Sequence, residues 1–261
     1  MKKIAGILGN ALSDIKPSIL NLMPEKSYQC LICEDQGLVV NGESATPCKC
    51  RKQKKALQKF EAFGDALQKA SFTNFDLKYY SEVGFEDDAA NEKASAIIAL
   101  RSAREFVSDL TSGKKTKGLM YSGNVGSGKT HLAAAITNTL HTVGIDVLFA
   151  VVPDLLDEMR YSYKSDEINE SDIMDSAKNA KVLILDYLGA HNYTEWSRNK
   201  LFSIINHRLT HYLPTVITTN LGMPDLEEYL GERTTSRIIE LCKIGRLNVQ
   251  KDIRFQKNIN R

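Results

Sequence analysis

Three things are scarce in this 261-residue chain, and each scarcity removes a class of explanation. No run of 18 or more apolar residues occurs, which argues against a membrane-spanning helix. Net charge is nearly absent: 34 Lys and Arg against 32 Asp and Glu leave +2, so any nucleic-acid contact has to come from local clusters. Cysteine is scarce outside one window, since four of the five lie within residues 30–50. No internal repeat or low-complexity tract is present. The opening MKKIAGILGNALSDIKPSIL echoes a leader peptide, but Asn10, Ser13 and Asp14 break its apolar stretch and no small-residue cleavage site follows. Ile4, Ile7, Leu8, Leu12 and Ile15 recur at helical spacing, so an amphipathic helix is expected, in a protein that is cytoplasmic by default.

What is present begins with the cysteines. Cys30-Leu31-Ile32-Cys33, then fourteen residues, then Cys48-Lys49-Cys50, crowds four thiols in the way of a metal site rather than of disulfides. Four thiolates suit a closed, tetrahedral, structural zinc site, and so small a module would draw much of its folding energy from the ion. An iron–sulfur cluster takes the same ligands, though nothing here favours redox chemistry. The fifth, Cys242, sits among Ile239, Leu241 and Ile244 and reads as a buried core thiol. Arg51, Lys52, Lys54 and Lys55 follow the cluster, either as a contact for nucleic acid or an acidic partner or as a solvated helix face.

Domain organisation follows from changes in rhythm. Residues 1–70 form an N-terminal domain with helices over 1–27 and 51–70, residues 71–92 are polar and aromatic without periodicity and are expected as a linker, and residues 93–261 form the main domain. There, strands at Gly118–Ser122, Asp146–Val152, Lys181–Asp186 and Pro214–Thr219 alternate with helices at Gly128–Val143, Pro153–Lys164, Glu170–Asn179, Thr194–Tyr212 and 223–242, and 244–250 is a candidate last strand. That alternation predicts an α/β fold: a parallel sheet with helices on both faces.

The first strand runs into Gly123-Asn124-Val125-Gly126-Ser127-Gly128-Lys129-Thr130, with His131 next as a further expected nucleotide contact. This is a phosphate loop (P-loop): its glycines turn the chain so that N–H groups face phosphate oxygens, Lys129 reaches the β- and γ-phosphates, and Thr130 ligates Mg²⁺. The helix that follows adds its positive end. ATP with Mg²⁺ is the expected ligand. The strand VLILD ends in Asp186, the expected second Mg²⁺-side group. One absence matters here: where many ATPases of this type follow that Asp with a second acid, this chain has Tyr187. A phenol, titrating near about 10, is a poor base at neutral pH, so binding is better supported than fast turnover. His191 and Glu195 are alternative bases. The strand PTVITTN ends in Asn220, either a reader of the γ-phosphate or a helix cap, and Arg233 and Arg237 share one helix face, either as charges offered to a neighbouring subunit's phosphate or as surface ion pairs.

These pieces, in this order, resemble the bacterial and phage replicative helicase loaders, the DnaC/DnaI-like branch of the AAA+ ATPases. The resemblance is carried by CLICEDQG with PCKC, SFTNFDLKYYS, GNVGSGKTHLA, VVPDLLDEMR, VLILDYLGA, TEWSRNKLFSIINHR, LPTVITTN and LGERTTSRI, over most of residues 28–254. It implies an AAA+ P-loop NTPase core behind a small zinc-bearing helical domain that grips the hexameric DnaB-type helicase. It implies delivery of that helicase onto single-stranded DNA, and self-association through the AAA+ domain. By position it implies a catalytic set of Lys129, Asp186, Asn220 as sensor 1, and Arg233 and Arg237, with Arg237 the preferred arginine finger. Residues 153–175 match a DNA-contacting helical insertion, where Arg160, Tyr161, Tyr163 and Lys164 offer charge and rings. Tyr187, and His191-Asn192 where the family often has Glu-Lys, depart from its pattern. Two other roles compete: an ATP-binding adaptor with little hydrolysis, and an IstB-like transposition helper.

Overall fold

The computed structural model describes residues 30, 32–34, 36–42, 44–48, 64–82, 91–161, 169–190 and 193–259. The chain divides into two units, Met1–Arg51 and Lys52–Arg261. The helix expected over 1–27 and residues 51–63 of the helix expected over 51–70 lie outside the described residues; in the remainder only Asp65–Gln68 is helical.

The first unit contains an antiparallel hairpin, β1 (Leu38–Asn41) paired with β2 (Ser44–Pro47). Leu38 and Val40 remain exposed, so this hairpin has no apolar face closed over it among the described residues.

The second unit is built on a five-stranded sheet in the order β4-β5-β6-β3-β7, with every neighbour pair parallel. The strands are β3 (Gly118–Ser122), β4 (Val147–Val151), β5 (Val182–Leu188), β6 (Thr215–Thr219) and β7 (Cys242–Arg246). All of β3 and β6, and β5 as far as Asp186, are buried, as a strand covered on both faces requires. A short helical turn α1 (Asp65–Gln68) precedes α2 (Glu92–Thr111), which is capped by the Asn91 side chain accepting from Ala94 N. Then follow α3 (Lys129–Thr142), α4 (Val152–Tyr161), α5 (Glu170–Asn179), α6 (Glu195–Thr210), α7 (Met223–Leu230), α8 (Glu232–Leu241) and α9 (Ile253–Ile259).

One apolar layer joins α2 and α3 to the sheet, with Phe106, Leu132, Ile136, Phe149 and Ile184 in it. The other, on α4, α5, α6 and α8, contains Leu156, Met159, Leu183, Ile204 and Ile238. The α/β fold expected from the alternation is therefore the fold found. Gly231, at φ 85°, splits the helical stretch 223–242 into α7 and α8. The last strand begins at Cys242, ahead of the expected 244, and Cys242 is buried as expected, with burial pushing its thiol well above the ordinary range.

Two features of this unit escaped the sequence reading. Residues 71–82, expected as linker, bury Phe75 and Tyr80 in the α2–α3 layer. Arg208, fully buried, donates to the carbonyls of Ala177, Lys178, Ala180 and Pro214 and to Thr215 Oγ1. It thereby closes the C-terminal end of α5 onto the start of β6, and burial lowers its pKa to about 9. Among the described residues, no helix is long and apolar enough to cross a membrane.

Candidate functional site

The site lies where β3, β5 and β6 end side by side. The chain leaves β3 into the loop Gly123–Thr130, whose backbone only glycine tolerates at key points. Gly123 has φ 150°, and a Cβ there would lie 2.0 Å from Leu247 O; Gly128 has φ 94°, with the Tyr80 hydroxyl 2.7 Å from where a Cβ would sit. The loop therefore turns sharply into the start of α3.

Lys129 is buried and folded back over the loop. Its Nζ donates to Gly123 O and Asn124 O at 2.7 Å each and to Ser127 Oγ at 3.2 Å. Burial lowers its pKa to about 8, the Asp186 carboxylate opposing that shift. Asp186, 1% exposed and two residues before the end of β5, accepts at Oδ1 from Thr130 Oγ1 (3.0 Å) and from Thr218 Oγ1. Burial raises its pKa, and the two threonine bonds hold it down. Lys129, Thr130 and Asp186 are thus brought together as the sequence suggested. A hydroxyl and a carboxylate side by side next to a lysine offer hard oxygen ligands for Mg²⁺ and a cation for phosphate.

Tyr187 departs from regular strand geometry. Its φ of 62° is left-handed, rare for a non-glycine residue, and the β5–β6 register shifts between Leu185 and Leu188. Its N–H donates to Thr218 Oγ1 at 3.1 Å. Its hydroxyl accepts from Arg254 Nη2 at 3.4 Å, and that bond raises the Arg254 pKa. Arg254, which the sequence reading did not single out, also faces Lys129 and Asp186 electrostatically. No local pattern marks it, because it comes from the far end of the chain. Thr218 was missed for a similar reason: only the strand order sets it beside Asp186.

The other expected residues are more scattered. Asn220 is exposed just beyond β6. His131 turns away from the loop: Nε2 is 3.0 Å from Ser71 O, its ring lies 5.7 Å from that of Phe75, and burial lowers its pKa. The Asn124 side chain pairs with the Val249 backbone. Arg233 and Arg237 are exposed on α8, Arg237 donating to Glu240 at 3.2 Å, and neither bonds to the phosphate loop. Arg160 stacks 5.2 Å from the centroid of Trp196, while Tyr161 is 71% exposed and free of the core. Tyr163, Lys164, His191 and Asn192 lie outside the described residues. Glu195, exposed, opens α6.

In the first unit, the sulfurs of Cys30, Cys33 and Cys48 lie within 4.8 Å of one another. Cys30 Sγ and Cys48 Sγ are 3.7 Å apart, and Gly37 N donates to Cys33 Sγ at 3.3 Å. Backbone N–H groups of Cys33 and Ile32 pull the Cys30 thiol down to about 7, toward the thiolate a metal requires. Three converging sulfurs with an N–H donor on one of them fit a structural zinc; Cys50, the fourth expected ligand, lies outside the described residues.

Known proteins sharpen the picture. Residues 89–246 match the family described as IstB-like ATP binding protein. The replicative helicase loader DnaC of Escherichia coli (strain K12) is 29% identical over 140 residues, which span 54% of this chain and 56% of that protein, little more than half its length. The replicative helicase loader DnaI of Bacillus subtilis (strain 168) is 27% identical over 222 residues, covering 78% of this chain and 68% of that one. The crystal structure of DnaI superimposes with a TM-score of 0.58 at 30% identity, covering 71% of this chain and 94% of that one. The AAA+ type of core and the likeness to DnaC/DnaI expected from the motifs are both borne out.

Proposed function

Because this chain belongs to the IstB-like ATP binding protein family, we propose that it is an ATP-binding loader of the replicative DNA helicase. In this reading MgATP binds at Gly123–Thr130, with Lys129 on the β- and γ-phosphates and Thr130 and Asp186 toward Mg²⁺. Arg254, reaching Tyr187 from α9, is a further cation available to the γ-phosphate. Asn220 reads the phosphate from the end of β6, and Arg237, with Arg233 beside it, serves a neighbouring copy in a self-assembled array. Residues 1–70, with zinc on Cys30, Cys33, Cys48 and Cys50, grip a DnaB-type hexameric helicase, residues 71–92 lead to the ATPase domain at 93–261, and single-stranded DNA runs along the assembled ATPase domains.

The observation that carries this reading is the junction of Lys129, Thr130 and Asp186 at the ends of β3 and β5. The relatives named as helicase loaders supply the biological setting. Hydrolysis is slow. The residue after Asp186 is a tyrosine whose hydroxyl is engaged by Arg254, so it is poorly suited to take a proton from water. The test is capture of a DnaB-type helicase by the full chain in MgATP. Capture is expected, and residues 1–70 alone should suffice. Failure with the cognate helicase, under conditions where MgATP binds, would overturn the loader reading while leaving nucleotide binding intact.

A further inference from the structure

We propose that Glu92 positions the phosphate loop for nucleotide by tying together the two chain segments that clamp it, an inference that rests on the ATP-binding reading above. The first clamp comes from residues 71–82. The Tyr80 hydroxyl donates to Ser127 O at 2.7 Å, and Phe75 and Tyr80, their rings 5.5 Å apart, pack where Gly128 lacks a side chain. The second is the stretch after β7. Leu247 N donates to Ser122 O (2.8 Å), Asn124 N donates to Asn248 Oδ1 (3.0 Å), Val249 N donates to Asn124 Oδ1 (3.0 Å), and Ile253 N donates to Gly126 O (3.1 Å).

Glu92 opens α2 and is 3% exposed. Its Oε2 accepts from the N–H of Ser81, the residue after Tyr80, at 2.8 Å. Its Oε1 accepts from the N–H of Gln250, the residue after Val249, at 2.6 Å. Each oxygen therefore serves one clamp. Among the described residues no lysine or arginine forms an ion pair with it. The rest of the inward face of α2 is apolar, with Ala96, Ala99, Ala103 and Phe106 buried. A buried carboxylate is costly unless its bonds are well made, and packing alone would be served as well by an apolar side chain. What Glu92 adds is a joint. A nucleotide that orders the loop tightens both clamps together, and losing the joint lets the loop splay.

The test measures MgADP and MgATP-analogue affinity by calorimetry for the full chain, Glu92→Gln, and the control Phe106→Leu on the same helix. Glu92→Gln should weaken both nucleotides about tenfold, the loss of one good hydrogen bond to a charged group. Phe106→Leu should lose thermal stability with its affinity unchanged, so a purely structural effect would read differently. Folded Glu92→Gln protein that binds like wild type would overturn the proposal. In case that variant does not fold, amide exchange on the wild-type chain decides: the Ser81 and Gln250 N–H groups should exchange at a common rate and be slowed together by MgADP. Independent exchange of the two amides would sink the tie. A wild-type chain that binds no nucleotide would sink the ATP-binding reading instead, and the common exchange rate would still judge the joint.

Discussion

The two units of this chain differ sharply in how much apolar surface their described residues bury. In the Lys52–Arg261 unit, strands buried on both faces sit between two apolar layers, and side chains such as Ile136, Leu156, Ile184 and Ile204 are fully excluded from water. Burial of this kind contributes roughly 1.5–3 kcal/mol per large apolar side chain, so the fold is over-determined and can tolerate strain at Tyr187 and a charge at Glu92. In the hairpin unit, the only side chains buried among the described residues are those of Cys33 and Cys48, while Ile32, Leu38 and Val40 face solvent. The described part of that unit buries little apolar surface, and in the zinc-site reading proposed above an ion on the sulfurs supplies the missing stability. The contrast is between a phosphate loop set on an apolar scaffold and a cysteine cluster whose described surroundings bury almost no apolar side chain.

The comparison can be broken most severely by removing metal. Chelation, or Cys30→Ser with Cys33→Ser, should abolish amide protection across 38–47 entirely while leaving the melting of the Lys52–Arg261 unit unchanged. A hairpin that stays protected without metal would remove the contrast.

The next largest effect concerns the scaffold. Arg208→Met would leave the carbonyls of Ala177, Lys178 and Ala180 without their buried donor and Pro214 O with only the Leu183 N–H, and should cost about 3 kcal/mol or more in denaturant unfolding. A loss below about 1 kcal/mol would mean that water or relaxation replaces the arginine.

The smallest effect is pH dependence at Lys129. Its folded pKa of about 8 lies below its ordinary value of 10.5, so between those limits the unfolded chain holds more protons than the nucleotide-free fold. The Lys129 contribution to stability is therefore fully present above 10.5 and is lost as pH falls through about 8. Phosphate favours the ammonium, so nucleotide binding should take up a proton and weaken above about pH 8, by up to about tenfold per unit. Affinity titrations at several pH values in two buffers of different ionisation enthalpy check both signs. A flat profile would place the ammonium in a better-solvated setting.

Much of this was legible in the sequence where the signal is local. The continuous apolar run of β5 and the G-x-x-x-x-G-K-T loop fix an element and a site from neighbouring residues alone, and the strand order then set Thr130 against Asp186 as expected. What escaped was contributed by residues far away in the chain. Tyr80 and Ser127, Asn124 and Val249, Glu92 and Gln250 meet only because the sheet is parallel and its first and last segments return to the same loop. The linker expected at 71–92 failed to show its buried part for the same reason: two rings among polar residues carry no periodicity, yet Phe75 and Tyr80 are core. His131 was read as a nucleotide residue by adjacency to the motif, whereas its side chain leans on Ser71 and Phe75.

The central claim, a nucleotide switch with slow hydrolysis, is tested most directly by single-turnover kinetics with MgATP on the wild type, Lys129→Ala and Tyr187→Asp. The account predicts binding that weakens roughly 10- to 100-fold on loss of Lys129. It predicts slow cleavage in the wild type and a rate at least about tenfold higher for Tyr187→Asp, since an acid at that position can act as base and aspartate accepts the left-handed backbone more readily than tyrosine. Fast wild-type turnover that Tyr187→Asp leaves unchanged, or MgATP binding indifferent to Lys129→Ala, would contradict it.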